Sequence, residues 1–325
     1  MMRTLGGRVA SGLVLLLAVI VLNFLLIQFA PGDAVDAFVA EGGASDEVVE
    51  SVREEYGLDQ PMIVQLYRYV GSVLRGNLGY SFHYRKPVLD VIAAQLPATV
   101  LLGLSALFLS SLAGTMLGVV AALRPRHLTS HAVTVISLLG YATPTFWLGM
   151  IMLMVFAYWL PYFPAYGLVS VPPPRDLLGL IADIAYHLVL PSVTLAVLFL
   201  ASISRLARAS MLDALGADYV RTAEAKGLSR ASVVYKHALR NAAIPIVTMI
   251  GLQLGHLLSG AVLVETVFSL PGIGPLLFES VLRRDYPVML GILLISALMV
   301  IVANILTDLA YRLVDPRIGQ RRNAN

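Results

Sequence analysis

The chain has 325 residues, 58% hydrophobic and 13% charged, with a net charge of +3. Soluble domains carry about 25% charged residues, so this composition points to lipid, and the small net charge argues against nucleic acid as a partner. With no cysteine in the chain, disulfides, thiolate catalysis and zinc–thiolate sites are excluded.

Six uncharged runs follow in order: Val9–Ala30, Leu96–Leu123, Ala132–Leu160, His187–Ser204, Asn241–Val264 and Tyr286–Thr307. A helical span needs about 20 apolar residues. The fourth run is short, but it can borrow Leu206 and Ala207 by letting the Arg205 side chain snorkel. The first is too long for the apolar part of a signal peptide, and Pro31 directly after Ala30 is a poor cleavage context. The expectation is an all-α integral membrane protein with six transmembrane helices.

Six spans place both termini on one side. With the termini inside, the short loops carry fifteen Lys and Arg inside against three outside. That asymmetry makes the inner side cytoplasmic. The layout is then a cytoplasmic 1–8, a first span 9–30, an extracytoplasmic loop 31–95, a transmembrane region 96–312 holding the second to sixth spans, and a cytoplasmic tail 313–325. Within the loop, three stripes have helical spacing: Val48, Val49, Val52 and Tyr56; Ile63, Leu66, Tyr67, Val70 and Leu74; and Val88, Val91, Ile92 and Leu96. These read as helices lying on the membrane or over the bundle, and a docking platform for an external partner is the alternative. Pro144, inside the third run, should kink it.

The cytoplasmic stretch 205–242 breaks the apolar pattern with charges. Asp213–Ala225 has good helix formers, Gly227 suits a left-handed helix end, and Ser229 can start a second helix. Val233, Val234, His237 and Ala238 give that helix a partly apolar face, and Pro245 stands near the start of the fifth span. Small residues near the turn, Thr222, Ala223 and Ala225, would let another protein approach closely. A solvated hairpin joining two spans is the competing reading.

In the fifth span, Gln253, His256 and Gly260 fall on one side of a helix, with Ser259 beside them. Polar groups at membrane depth usually face a bundle interior or a water-filled path, so this side is a candidate translocation path. Contacts with neighbouring helices, helped by Gly251 and Gly255, are the alternative. Asn23 and Gln28 in the first span suit helix contacts. Asp308, an acid near a helix C-terminus, calls for a cationic partner such as Arg205 or Arg208.

The stretch Asp218-Tyr219-Val220-Arg221-Thr222-Ala223-Glu224-Ala225-Lys226-Gly227-Leu228 resembles the EAA loop of ATP-binding-cassette importer permeases, in the version of the dipeptide and oligopeptide B-type subunits. The likeness continues through "APGD" (Ala30–Asp33), "YGLDQP" (Tyr56–Pro61), "GNLGYS" (Gly76–Ser81), "LPATVLL" (Leu96–Leu102), "TPTFWLG" (Thr143–Gly149), "RLARASML" (Arg205–Leu212), "ETVFSLPGIG" (Glu265–Gly274), "RDYPVMLG" (Arg284–Gly291) and "DPR" (Asp315–Arg317). Glu224 departs from the usual Arg, Ala34 from a usual Pro and Asn77 from a usual Asp.

The resemblance implies a type I importer-permease (MetI-like) fold in the cell membrane. In that family the short helix before the glycine docks in a groove of the ATPase subunit. It also implies a heterodimer with a homologous C-type permease, two ATPase subunits that bind ATP and magnesium, and an extracytoplasmic substrate-binding protein. Peptide is the expected cargo; glutathione or nickel is the alternative, and a secondary transporter driven by an ion gradient is the rival class.

No ATPase activity is expected of the chain itself, because Lys86, Lys226 and Lys236 all lack the preceding Gly of a phosphate-binding loop. No cofactor is expected, and no metal: His127 and His131 have no neighbouring carboxylate.

Overall fold

The computed structural model describes residues 2–29, 60–81 and 83–314, and these are mostly helical. In lipid a backbone must satisfy its own polar groups, which helices do within a single segment. The elements are α1 (Met2–Phe29), α2 (Met62–Leu74), a hairpin of β1 (Tyr80–Ser81) and β2 (Lys86–Pro87), α3 (Val88–Leu123), α4 (Leu128–Ala142), α5 (Thr145–Met152) with a π-helical extension Leu153–Trp159, α6 (Leu177–Leu215), α7 (Asp218–Ala225), α8 (Leu239–Val267) entered through a π-helical stretch Ser232–Ala238, α9 (Ile273–Leu282) and α10 (Tyr286–Val314).

By length and composition, α3, α6 and the part of α10 from Tyr286 to Thr307 can cross a membrane; α4 with α5 makes a fourth span if that bent pair counts as one. The first run lies in α1, whose apolar stretch Ala10–Leu26 is shorter, and the fifth run lies in α8.

Several expectations change. The third loop stripe is not a separate helix: Val88, Val91 and Ile92 open α3 and are buried, because no breaker stands between Val88 and Leu96. The second stripe is α2, with Ile63, Tyr67 and Leu74 exposed; the first lies outside the described residues. Pro144 does more than kink the third run. Thr143 is extended, Pro144 caps α5, and the two helices bend by 102° at this break. A residue before proline is pushed out of the helical region, which turns a kink into a break.

The described residues form two compact units. The first comprises Met1–Pro97 and Gly272–Ile301. Its apolar centre gathers Val88, Ile92, Ile273, Leu276, Val288 and Ile292. Asn23 of α1 is buried and donates to the Leu290 carbonyl of α10 at 3.0 Å, while Gln28 bonds Gln65 of α2 at 2.6 Å, so both make helix contacts.

Ser81 Oγ in the hairpin donates to Asp285 Oδ2 at 2.5 Å, 204 residues on in sequence, and accepts the Tyr84 N–H at 3.1 Å. The Tyr84 hydroxyl donates to Glu279 at 2.9 Å. Burial, then this bond to a carboxylate, pushes the Tyr84 phenol up to about 12, and the same bond holds Glu279 below the usual carboxylate range. A tyrosine so raised favours the closed hairpin most fully below pH 10 and loses that contribution as pH climbs towards about 12. Glu279→Gln should move the ultraviolet-detected Tyr84 titration downward; an unmoved midpoint would remove the carboxylate's part in it.

The second unit comprises Ala98–Pro271 and Val302–Asn325. Leu102, Leu195, Ile203, Val264 and Phe268 centre its larger core. Gly114 and Gly118 bring α3 onto α6: a Cβ added at Gly118 would stand 2.5 Å from Ala207 Cβ and 2.7 Å from the Ser204 carbonyl. In α8, Gly251 receives Thr307 of α10, whose buried hydroxyl donates to the Gly251 carbonyl at 3.3 Å. Small residues let backbones approach where no hydrophobic drive separates protein from lipid.

Candidate functional site: a helical knob after α6

The helix expected from Asp213 starts later. α6 runs on to Leu215, Gly216 and Ala217 form the joint, and α7 begins at Asp218. Met211 and Ala214, on the last turns of α6, are buried in the same cluster as Val220 and Ala223 of α7. Packing therefore fixes the angle at a joint whose Gly216 has an ordinary negative φ.

The end of α7 forms as its sequence dictates. Gly227 has φ +74°. Its N–H reaches the Glu224 carbonyl at 2.9 Å, and the Leu228 N–H reaches the Ala223 carbonyl at 3.4 Å. This is the paired closing bond of a left-handed helix cap, which glycine adopts without penalty. Ser229 then caps the next helix, with its Oγ accepting the Ser232 N–H at 3.4 Å. That helix does not stop before the fifth span: the π-helical stretch runs straight into α8, and Pro245 lies inside the continuous helix.

The knob has two faces. Val220, Ala223, Val233, Val234 and Ala238 turn inward onto Val119, Ala122 and Met211. Outward stand Asp218, Tyr219, Arg221, Thr222, Glu224, Ala225, Lys226, Gly227 and Leu228, with Tyr219 and Leu228 each 41% exposed. Of the three small residues near the turn, Thr222 and Ala225 are thus accessible, whereas Ala223 belongs to the core.

Asp218 in the first turn and Lys226 at the C-cap both suit the helix dipole. The Asp218–Arg221 pair, at 3.7 Å and largely exposed, adds little. Beside the outer face, a cleft of about 360 Å³ is lined by Leu123, Leu215, Leu228, Val233 and Val234, with Glu224 and Arg230 as its charged members. An apolar floor with one acid and one base suits an inserted side chain that has a carbon body and a polar tip. The part of Leu123 is not legible in the sequence, since it comes from α3, a separate stretch of chain.

The candidate path residues are a different matter. Gln253 is half-buried in α8. His256, Ser259 and Gly260 fall within α8, but their side chains lie outside the described residues, as does that of Asp308. The Arg205 guanidinium lies over the Tyr141 ring of α4, 5.6 Å from the centroid. Arg208, one turn on, donates from Nε to the buried Ser130 at 3.1 Å. His127 caps α4, its ring nitrogen accepting from the Thr129 N–H.

Residues 114–320 match the family described as binding-protein-dependent transport system inner membrane component, and residues 1–103 match that family's N-terminal component. The chain is 41% identical over 318 residues to the di/tripeptide transport system permease protein DppB of Pseudomonas aeruginosa, covering 94% of this chain and 95% of that protein. It is 39% identical over 323 residues to the dipeptide transport system permease protein DppB of Escherichia coli K12, with 94% and 95% covered. The oligopeptide transport system permease protein AppB of Bacillus subtilis is 37% identical over 313 residues, with 96% and 97% covered.

Proposed function

The chain belongs to the binding-protein-dependent transport system inner membrane component family, and from that premise we propose that it is the pore-forming subunit of an ATP-driven peptide importer. Peptide as cargo is supported by relatives named for di/tripeptide, dipeptide and oligopeptide transport that match nearly end to end. Six spans with both termini cytoplasmic remain the reading of charge and apolar runs. The pore is completed by a homologous C-type permease, two ATPase subunits hydrolyse ATP outside this chain, and a binding protein delivers cargo from the far side.

The observation that carries the mechanism is the two-faced knob. Its inner face is cemented to α3 and α6, and its outer face and cleft stand free for the ATPase. Pushing on α7 therefore moves the ends of α3 and α6 directly, and the helix beyond Ser229 continues without a loop into α8. Closure of the ATPase dimer would be transmitted to these rods and reorient the path. Nucleotide can shift the pore only by its differential affinity for the two orientations; moving 1:99 to 99:1 takes about 5.5 kcal/mol. A rigid connection suits that load.

Gly227 supplies the test. An added Cβ there meets no atom within 4 Å, so any effect comes from the backbone conformation alone. Gly227→Val should uncouple ATP hydrolysis from peptide uptake, while Gly227→Asn, which tolerates the left-handed region, keeps most of the coupling. Equal uptake by Val and wild type in proteoliposomes would refute the docking role.

A further inference from the structure

We propose that α9 and the two turns beside it form a binding surface for an anionic phospholipid, with an acyl chain lying on α9 and the phosphate held by Arg85, Lys86 and Arg284. Height in the membrane comes from α10. Its stretch Tyr286–Thr307 is long and apolar enough to cross, so Tyr286 stands at one boundary, and Arg283 and Arg284 just outside it at headgroup level. The hairpin is held at the same level, because Ser81 donates to Asp285 and the Tyr84 hydroxyl donates to Glu279. The start of α3 is level with the start of α10 too: a Cβ added at Gly291 would stand 2.6 Å from Val88 Cγ1. These contacts bring the turn of Arg85 and Lys86 up to the turn of Arg283 and Arg284, and all four side chains are exposed.

Two chemistries meet on this surface. α9 buries Ile273, Leu276 and Ser280 in the first unit but leaves Phe278, Val281 and Leu282 at 63%, 49% and 68% exposed. A helix with apolar side chains on both faces needs a cover for the outer one. That outer face ends where α10 begins, and Leu293 and Leu298 of α10 are exposed as well, so it continues the apolar side of a span. The acids nearby are mostly engaged. Glu279 takes Tyr84 and Arg283, and Asp285 takes Ser81 and the Val288 N–H. Asp90, exposed in the first turn of α3, is left against Arg85, Lys86 and Arg284. An apolar helix face with a cationic rim suits an anionic lipid surface, and the arginine fork matches a phosphate. The backbone adds a separate sign. Arg85 at φ +51° and Arg284 at φ +56° are two of three non-glycine residues with positive φ among the described residues. Side chains rarely occupy this region, which glycine enters freely. Strained residues of this kind gather at ligand sites.

The experiment follows thermal unfolding of the full chain, alone and assembled with its permease and ATPase partners, in detergent with added phosphatidylglycerol or phosphatidylcholine. Wild type should be stabilised at lower concentrations of phosphatidylglycerol than of phosphatidylcholine. Arg85→Gly with Arg284→Gly should raise the phosphatidylglycerol concentration needed about twentyfold, roughly fivefold for each cation removed from a lipid surface. Its melting without lipid should stay close to wild type, because glycine relieves both left-handed turns. Arg85→Lys with Arg284→Lys should keep most of the lipid preference. No preference in wild type, or an unchanged one in the glycine variant, would overturn the proposal. A large fall in melting temperature without lipid would also overturn it, since the arginines would then be parts of the turns. A photoreactive phosphatidylglycerol supplies the location: it should label Phe278–Leu282 in the assembled transporter. Labelling of that segment in the lone chain but not in the assembly would give the outer face of α9 to a protein partner, and the lipid site would fall.

Discussion

Gly118→Val should abolish accumulation of folded protein, and even Gly118→Ala should lower its melting temperature in detergent markedly. The reason is what the new carbon would strike. Its neighbours are Ala207 Cβ at 2.5 Å, the Ser204 carbonyl at 2.7 Å and the Arg208 backbone nitrogen at 2.9 Å. None is the tip of a flexible side chain. The helices must separate, and Gly114, one turn away and pressed on Ile203 and the Leu200 carbonyl, would lose its packing too. Overpacking a tight core typically costs about 1–3 kcal/mol, and a contact made by two backbones belongs at the upper end or beyond. Gly6→Ala is the control, since nothing lies within 4 Å of that position. Similar melting for Gly118→Val and wild type would mean that α3 and α6 do not meet as described.

That seam is legible in the sequence: Gly114 and Gly118 are one turn apart inside an apolar run, which is the spacing for close helix approach. Local chemistry was the most legible layer. Gly227 and Ser229 behave as their residue types dictate because a helix end is decided within a few residues. Boundaries set by distant packing were not legible. The joint at Gly216–Ala217 has no strong local stop signal, and it is the burial of Met211, Ala214, Val220 and Ala223 in one cluster that decides it. The break at Pro144 sits between these cases: the proline marks the place, but whether the chain kinks or breaks depends on Thr143, which the structure holds extended. The cleft beside the knob sets Leu123 of α3 against residues 215–234, and no periodicity links positions so far apart. The same holds for Arg205 and Tyr141, whose pairing needs the antiparallel register of two helices.

Asp285→Ala should destabilise the first unit by about 2–4 kcal/mol, as removal of a buried charge-assisted hydrogen bond together with a helix cap would. Asp285 holds two elements at once. Its Oδ2 takes the Ser81 hydroxyl at 2.5 Å, and its Oδ1 accepts the Val288 N–H of α10 at 3.3 Å. Both side chains are buried, so water cannot replace what is lost. Ser81→Ala should cost less, because Asp285 keeps its cap. Asp285→Asn should fall between: the amide can still cap Val288, but it leaves the Ser81 proton without an acceptor. The double variant separates a direct bond from two independent defects. Residues in contact couple by about 0.5–3 kcal/mol, so Ser81→Ala with Asp285→Ala should lose less stability than the two single losses added. Strict additivity in thermal unfolding would show that the hairpin and α10 are not joined through this pair. The residues sit in "GNLGYS" and "RDYPVMLG", stretches 204 residues apart at their point of contact, so the coupling energy would measure how strongly this one bond ties the hairpin to α10.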